Sequence, residues 1–237
     1  MFSSDAPFFK DEDLENEADA VTQRYDPERL WTPKPIDVYD VIDTILGVPY
    51  EMVYLTPDQS YLGLTGFHDF YWWCWPVPYY EPKLLEFLEL GWLTDDDYNY
   101  LPQKRLFEKG TILIEKTLSS PKSSFGRHIF TVMHEVFHHL LHWEFFETAT
   151  QIHYSTNETF SRINSGYRTL IEPIDFVEHQ ASYAAAAFLM PRSAVKNVCR
   201  ERIIHRNDYR TINELACMFS VSTQAMSIRL DRLGLYS

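Results

Sequence analysis

Two histidines and a glutamate define the chemistry to look for, because His134-Glu135-Val136-Phe137-His138 has the HExxH form. Residues four apart on an α-helix stand one turn above each other, so the two imidazoles can converge on a single metal ion. Zinc suits these donors: it takes neutral imidazole nitrogen at about 2.0–2.1 Å and keeps a position for water beside three protein ligands. Glu135 follows the first histidine, faces the same mouth, and is the candidate general base for that water. The third donor comes from elsewhere in the chain, and the downstream candidates are His142, His153, Glu172, Asp175, Glu178 and His179. The longer HExxHxxGxxH pattern is absent, since Glu144 stands where its last histidine would be and position 141 is Leu141. That leaves a glutamate from a later helix, giving a His2Glu set.

The elements that must position these groups can be read from periodicity. Ile129, Val132, Met133, Val136, Phe137, Leu140 and Leu141 recur at helical spacing, and no Gly or Pro interrupts the segment after Gly126. Residues 174–191, IDFVEHQASYAAAAFLMP, form a second helix whose small residues permit close approach to a neighbour and which Pro191 ends. Glu178 begins its apolar stretch, where it can face the motif helix or simply favour the helix dipole. Residues 110–115 read as a buried strand, and Ser119, Ser120, Pro121, Ser123 and Ser124 supply a loop and cap before the motif. The edge of that strand is expected to pair with an extended substrate and lay its scissile carbonyl over the metal.

Upstream, residues 1–10 read as a loose leader, and residues 11–25 as an acidic helix with Leu14, Ala18 and Val21 inward. Prolines 27, 33 and 35 break the chain before a second helix with Val38, Val41, Ile42 and Ile45 inward and Gly47 as its stop. Short β-type runs follow, YEMVYL and YLGLTGF, and then the aromatic cluster FYWWCWPVPYY at 70–80. Such a cluster fills a core, or forms a cage or peptide-binding surface. Residues 83–93 resemble a short amphipathic helix, and Asp95, Asp96 and Asp97 read as a solvated turn because calcium-loop spacing is missing.

Composition narrows the partners and the compartment. The chain has 237 residues, 45% of them apolar, and a formal charge of −13, which argues against broad binding to nucleic acid or anionic membranes. Three cysteines without CxxC spacing imply neither a disulfide framework nor a cysteine zinc site, so a reducing cytoplasm fits. The acidic N-terminus lacks the features of a signal peptide. The longest weakly polar stretch, 181–191, falls short of the roughly 20 residues a membrane span needs.

Taken together, the motifs resemble the ImmA/IrrE family of zinc metallopeptidases. The resemblance rests on a strand, the lead RHIFT from Arg127 to Thr131, then His134-Glu135-x-x-His138-x-x-Leu141-His142, then Glu178-x-x-Ala181-x-x-x-Ala185-Ala186-x-x-Leu189-Met190-Pro191. It reaches weakly to the PIDV segment at 35–38 and to the C-terminus. It implies His134, His138 and Glu178 as ligands of Zn2+, Glu135 as general base, and a specific protein substrate, commonly a transcriptional repressor of a mobile element or stress response. The gap from His138 to Glu178 is longer than the family pattern, and the aromatic segment 68–100 stands outside it.

The expected architecture is α+β: a mainly helical zincin-like metallopeptidase domain over 1–192 with a small β-sheet and an aromatic-rich insertion at 68–100. A C-terminal helical segment, 193–237, packs on that core. Within it, 211–235 resembles a helix-turn-helix with its turn at Ser220-Val221-Ser222, a unit able to enter a DNA major groove. From residue 200 onward six arginines oppose four acids, +6 − 4 = +2, which is a thin phosphate-binding footprint. Direct DNA binding through 211–235 is therefore the lesser expectation. The rival to an endopeptidase is a DNA-binding or protein-interaction regulator with a structural or latent zinc site. His153, Tyr154, Tyr167 and Tyr183 are candidate donors to the developing oxyanion.

Overall fold

In the computed structural model, residues 7–56, 58–77, 101–120, 125–147, 153–157 and 173–237 are described, with backbone alone at 153–157 and 173. The expected helix at 83–93, the turn at 95–97, Tyr167 and Glu172 lie outside the described residues. Among those described, seven α-helices and two small sheets make a mixed α/β fold, consistent with the α+β expectation.

Helix α1 (Asp11–Tyr25) buries Leu14 and Ala18 completely, as its spacing requires, and opens with Asp13 accepting from the Lys10 backbone N–H at 2.9 Å. A short α2 (Val38–Val41), capped by Asp37, runs on as one π-helical turn to Gly47. Strands β1 (Tyr50–Val53), β2 (Tyr61–Gly66), β3 (Phe70–Cys74), β4 (Gln103–Phe107) and β5 (Ile112–Glu115) come next. Helix α3 (Phe125–Glu147) carries the motif, followed by β6 (His153–Asn157), α4 (Pro173–Leu189), α5 (Arg192–Cys199), α6 (Tyr209–Met218) and α7 (Thr223–Arg232).

The main sheet has the order β1-β5-β2-β6, with β1 parallel to β5 and the other neighbours antiparallel. All four residues of β5 are buried. Ile112 and Ile114 face the helical core, while Leu113 joins Leu64, Phe70 and Phe107 on the opposite side. A strand covered on both faces needs a continuous apolar run, which explains the sequence ILI. This placement corrects one expectation: β5 is hydrogen-bonded on both sides, so it has no free edge for a substrate. The outer strand beyond β2 is β6. The aromatic cluster divides by strand alternation in the small β3–β4 sheet, with Phe70 and Cys74 buried and Tyr71 and Trp73 more than half exposed. Residues 78–80 of the cluster lie outside the described residues.

Helix α3 has Ile129, Val132, Met133, Val136 and Phe137 at 1% exposure or less. Leu140 departs from the expected stripe and is exposed, while His142 and Phe146 further along the helix are fully buried, Phe146 against Phe67 and Val177. Ala181, Ala184 and Ala185 on α4 are fully buried, and their small side chains let α4 lie close along α3. One apolar cluster continues from α1, α3 and α4 into Ile212, Leu215, Phe219, Met226 and Leu230 of the C-terminal helix pair. At Gly126 a Cβ would sit 2.6 Å from the backbone nitrogen of Ser222, so only glycine lets the start of α3 press against the turn between α6 and α7. No helix among the described residues is long and apolar enough to cross a membrane.

Candidate metal centre

His134 and His138, one turn apart on α3, bring their Nε2 atoms to 2.7 Å from each other. From the neighbouring α4, Glu178 places Oε2 3.1 Å from His134 Nε2 and Oε1 3.3 Å from His138 Nε2. The histidines are fully buried and Glu178 nearly so. Among the described residues these three form the group able to hold a metal ion, with their ligand atoms all within 4.8 Å of one another. Donors around a tetrahedral ion at 2.0–2.2 Å stand roughly 3.3 Å apart. The carboxylate already meets that spacing, and the imidazoles need to part by only a few tenths of an ångström.

Electrostatics within the cluster favour a cation. Burial opposes charge on Glu178, but the facing imidazoles of His138 and His134 outweigh it and hold the carboxyl down to about 2. Burial likewise opposes protonation of His138, yet the Glu178 carboxylate raises its pKa above the usual histidine value. The site thus keeps a negative carboxylate facing two nitrogens whose proton a divalent ion can displace.

Glu135, completely buried, lies outside this group of three. Its Oε2 accepts from Thr65 Oγ1 at 2.8 Å, so β2 fixes the carboxylate from the side opposite the helix. The packing is tight: a Cβ on Gly63 would fall 2.5 Å from Glu135 Oε1 and 2.7 Å from its Cγ. Gly63→Ala is expected to displace the carboxylate while leaving the metal-binding group intact. Metal affinity should stay unchanged, while any proton transfer that depends on Glu135 should slow by about 10- to 100-fold, since misplacement of a reacting group by about 1 Å costs on the order of 10²-fold. Steady-state rates and a metal titration on one preparation check this, and equal losses in both would place Gly63 in general folding instead.

The remaining candidates divide cleanly. His142 is not in the group but behind it, with Nδ1 3.2 Å from His138 Nδ1 and Nε2 2.9 Å from Gln180 Oε1. Ser182 Oγ lies 3.1 Å from His134 Nδ1. His179 and Asp175 stand outside the group. Tyr183 is committed elsewhere: its hydroxyl donates to Glu15 Oε1 at 3.0 Å, and burial together with Glu15 pushes its pKa up to about 12. The side chains of His153 and Tyr154 lie outside those described. Thr65, Gly63, Gln180 and Ser182 escaped the sequence reading. A signal existed for Ser182, a polar residue four positions after Glu178 on an otherwise apolar helix face.

The titrating histidines give the metal-free protein a distinct pH response. Burial lowers His139 to about 4, and burial with the neighbouring His138 charge lowers His142 to about 3. In the unfolded chain both titrate near the ordinary value of about 6.5. Between those limits the unfolded state binds protons that the folded state refuses, so stability rises with pH. His138 has the opposite sign: above 6.5 the folded protein retains a proton the unfolded chain has lost, and stability falls as pH passes the raised value. Metal-free protein is expected to be most stable near pH 6.5 in urea unfolding, and saturating zinc should remove the decline above it. A metal-free curve that climbs steadily from pH 6.5 to about 8 would contradict the assignment.

No protein-family model matches the chain, and no curated protein matches it.

Proposed function

We propose that the chain is a zinc-dependent endopeptidase that hydrolyses a specific intracellular protein. The observation that carries this reading is the pairing of a buried His134/His138/Glu178 group with a separate, immobilised carboxylate, Glu135, on the same helix. A purely structural metal site needs closed ligands and no spare acid. Here the acid beside the ligands is buried and held by a dedicated hydroxyl. Zinc bound to the three ligands would supply Lewis acidity toward the peptide carbonyl and lower the pKa of water to about 7. Glu135 then accepts a proton from the attacking water and delivers it to the departing amine nitrogen as the C–N bond breaks. Thr65 keeps the Glu135 carboxylate turned to that task.

The substrate class follows from the ImmA/IrrE resemblance: a transcriptional repressor with a helix-turn-helix, from a mobile element or stress response. Zinc-loaded protein incubated with the repressor encoded nearest its gene is expected to produce one discrete cut, abolished by a chelator and restored by added zinc. No cut in any zinc-loaded preparation would overturn the reading.

The helix pair α6–α7 favours a second reading, a DNA-binding regulator with a structural zinc. Its arginines argue against it. Arg229 is buried against Glu15, and Arg206 and Arg210 each have an acid beside them, Asp231 and Glu214, which lowers the positive charge offered to phosphates. A low-salt gel shift that depends on Arg210 would revive this alternative.

A further inference from the structure

A chain of hydrogen bonds behind the metal group has a direction, and that direction starts at the backbone of residue 7. The carbonyl of Pro7 can only accept, and it lies 2.6 Å from Gln180 Nε2, so the amide nitrogen of Gln180 must face it. The other end of that amide, Oε1, can only accept, and its neighbour at 2.9 Å is His142 Nε2. His142 therefore carries its proton on Nε2. In the neutral ring the remaining nitrogen, Nδ1, is then an acceptor, and it faces His138 Nδ1 at 3.2 Å. His138 must carry a proton on Nδ1, which leaves the lone pair of its Nε2 for the group shared with His134 and Glu178.

We infer that Gln180 and His142 are positioning residues that lock His138 in the tautomer whose Nε2 binds the metal. The inference rests on His138 being a ligand, as proposed above. It assigns roles to two residues that touch neither metal nor substrate. His134 lacks an equivalent device, since its Nδ1 meets the Ser182 hydroxyl, which can donate or accept. The lock also has a long reach in sequence: Gln180 ties α4 to a residue 173 positions earlier, and the ring it orients sits on α3 between the two.

The test uses the 237-residue chain, Zn2+ with a competing chromophoric chelator, and long-range 1H–15N spectra of the imidazoles in the metal-free state. Wild type is expected to show His142 protonated on Nε2 and unprotonated on Nδ1. Gln180→Leu should bind zinc about 10- to 100-fold more weakly, in the range typical for loss of a group that orients a ligand, and should show mixed His142 tautomers. Gln180→Glu keeps the acceptor toward His142 and loses only the donor toward Pro7, so it should hold His142 protonated on Nε2 in the imidazole spectra, a readout that packing does not move. His142→Phe should resemble Gln180→Leu. The inference is overturned by a wild-type His142 protonated on Nδ1, or by Gln180→Leu binding zinc as tightly as wild type. Failure of wild type to take up zinc would overturn the metal reading itself, while the imidazole spectra still decide the tautomer.

Discussion

Glu135→Gln is expected to reduce hydrolysis by roughly 10²–10⁴-fold, the usual contribution of a positioned general base, with zinc affinity and unfolding midpoint close to wild type. The expectation follows from where Glu135 sits. It lies outside the three-residue group, so its neutralisation removes no ligand. Glutamine has nearly the same shape, fits over Gly63, and can still accept from Thr65 through its amide oxygen. What it loses is the ability to take and return a proton. The measurement is single-turnover cleavage beside metal content determined by mass spectrometry. A variant that binds zinc and cuts as fast as wild type would show that another group moves the proton, and Glu135 would become a packing residue. A variant that loses zinc would show that the carboxylate belongs to the metal group after all. The two failures are distinguishable because rate and metal content are read on the same sample.

Much of this centre could be anticipated because helical geometry makes spacing equivalent to position. His134 and His138 had to share a face, and the buried residues Ile129, Val132, Met133, Val136 and Phe137 fixed which side of α3 faced inward. Glu178 was one of several candidate third donors from spacing alone; only the packing of α4 along α3 brings its carboxylate to the histidines. The contribution of β2 was invisible. In YLGLTG nothing marks Gly63 as the place where a glutamate from 72 positions later lies against the strand, or Thr65 as its donor. The strand order was equally hidden, because an apolar run reports burial on two faces but not which neighbours supply hydrogen bonds. That is why β5 reads as a substrate edge in sequence and lies inside the sheet in three dimensions.

The least legible residue was Glu15. Helix α1 has acids at 11, 12, 13, 15, 17 and 19, and sequence offers no means of telling a buried carboxylate from its solvated neighbours. Glu15 is 4% exposed and forms a two-pronged ion pair with Arg229, itself 1% exposed and 214 positions away. Burial opposes charge on the carboxylate, but hydrogen bonding and charge from Arg229 outweigh it, and its pKa stays below the ordinary value. Arg229 Nε also donates to the Met190 carbonyl at 3.0 Å, so one guanidinium joins the first helix, the end of α4 and the last helix.

Arg229→Met should therefore destabilise the protein by about 3–5 kcal/mol, because a buried carboxylate is left without its counter-charge. A loss of that size is a large fraction of the 5–15 kcal/mol typical of whole domains, so the measurement is urea unfolding of zinc-loaded protein at low temperature. The penalty should shrink on acidification, since a protonated Glu15 no longer needs the guanidinium. Adding Glu15→Leu to Arg229→Met removes the orphaned charge and should recover much of the loss, as replacement of buried ion pairs by apolar residues often does. A double variant no more stable than Arg229→Met alone would mean that the cost arises from lost packing around Met190 and Tyr183. In that case the ion pair would not be what fastens the C-terminal helices to the core beneath the metal group.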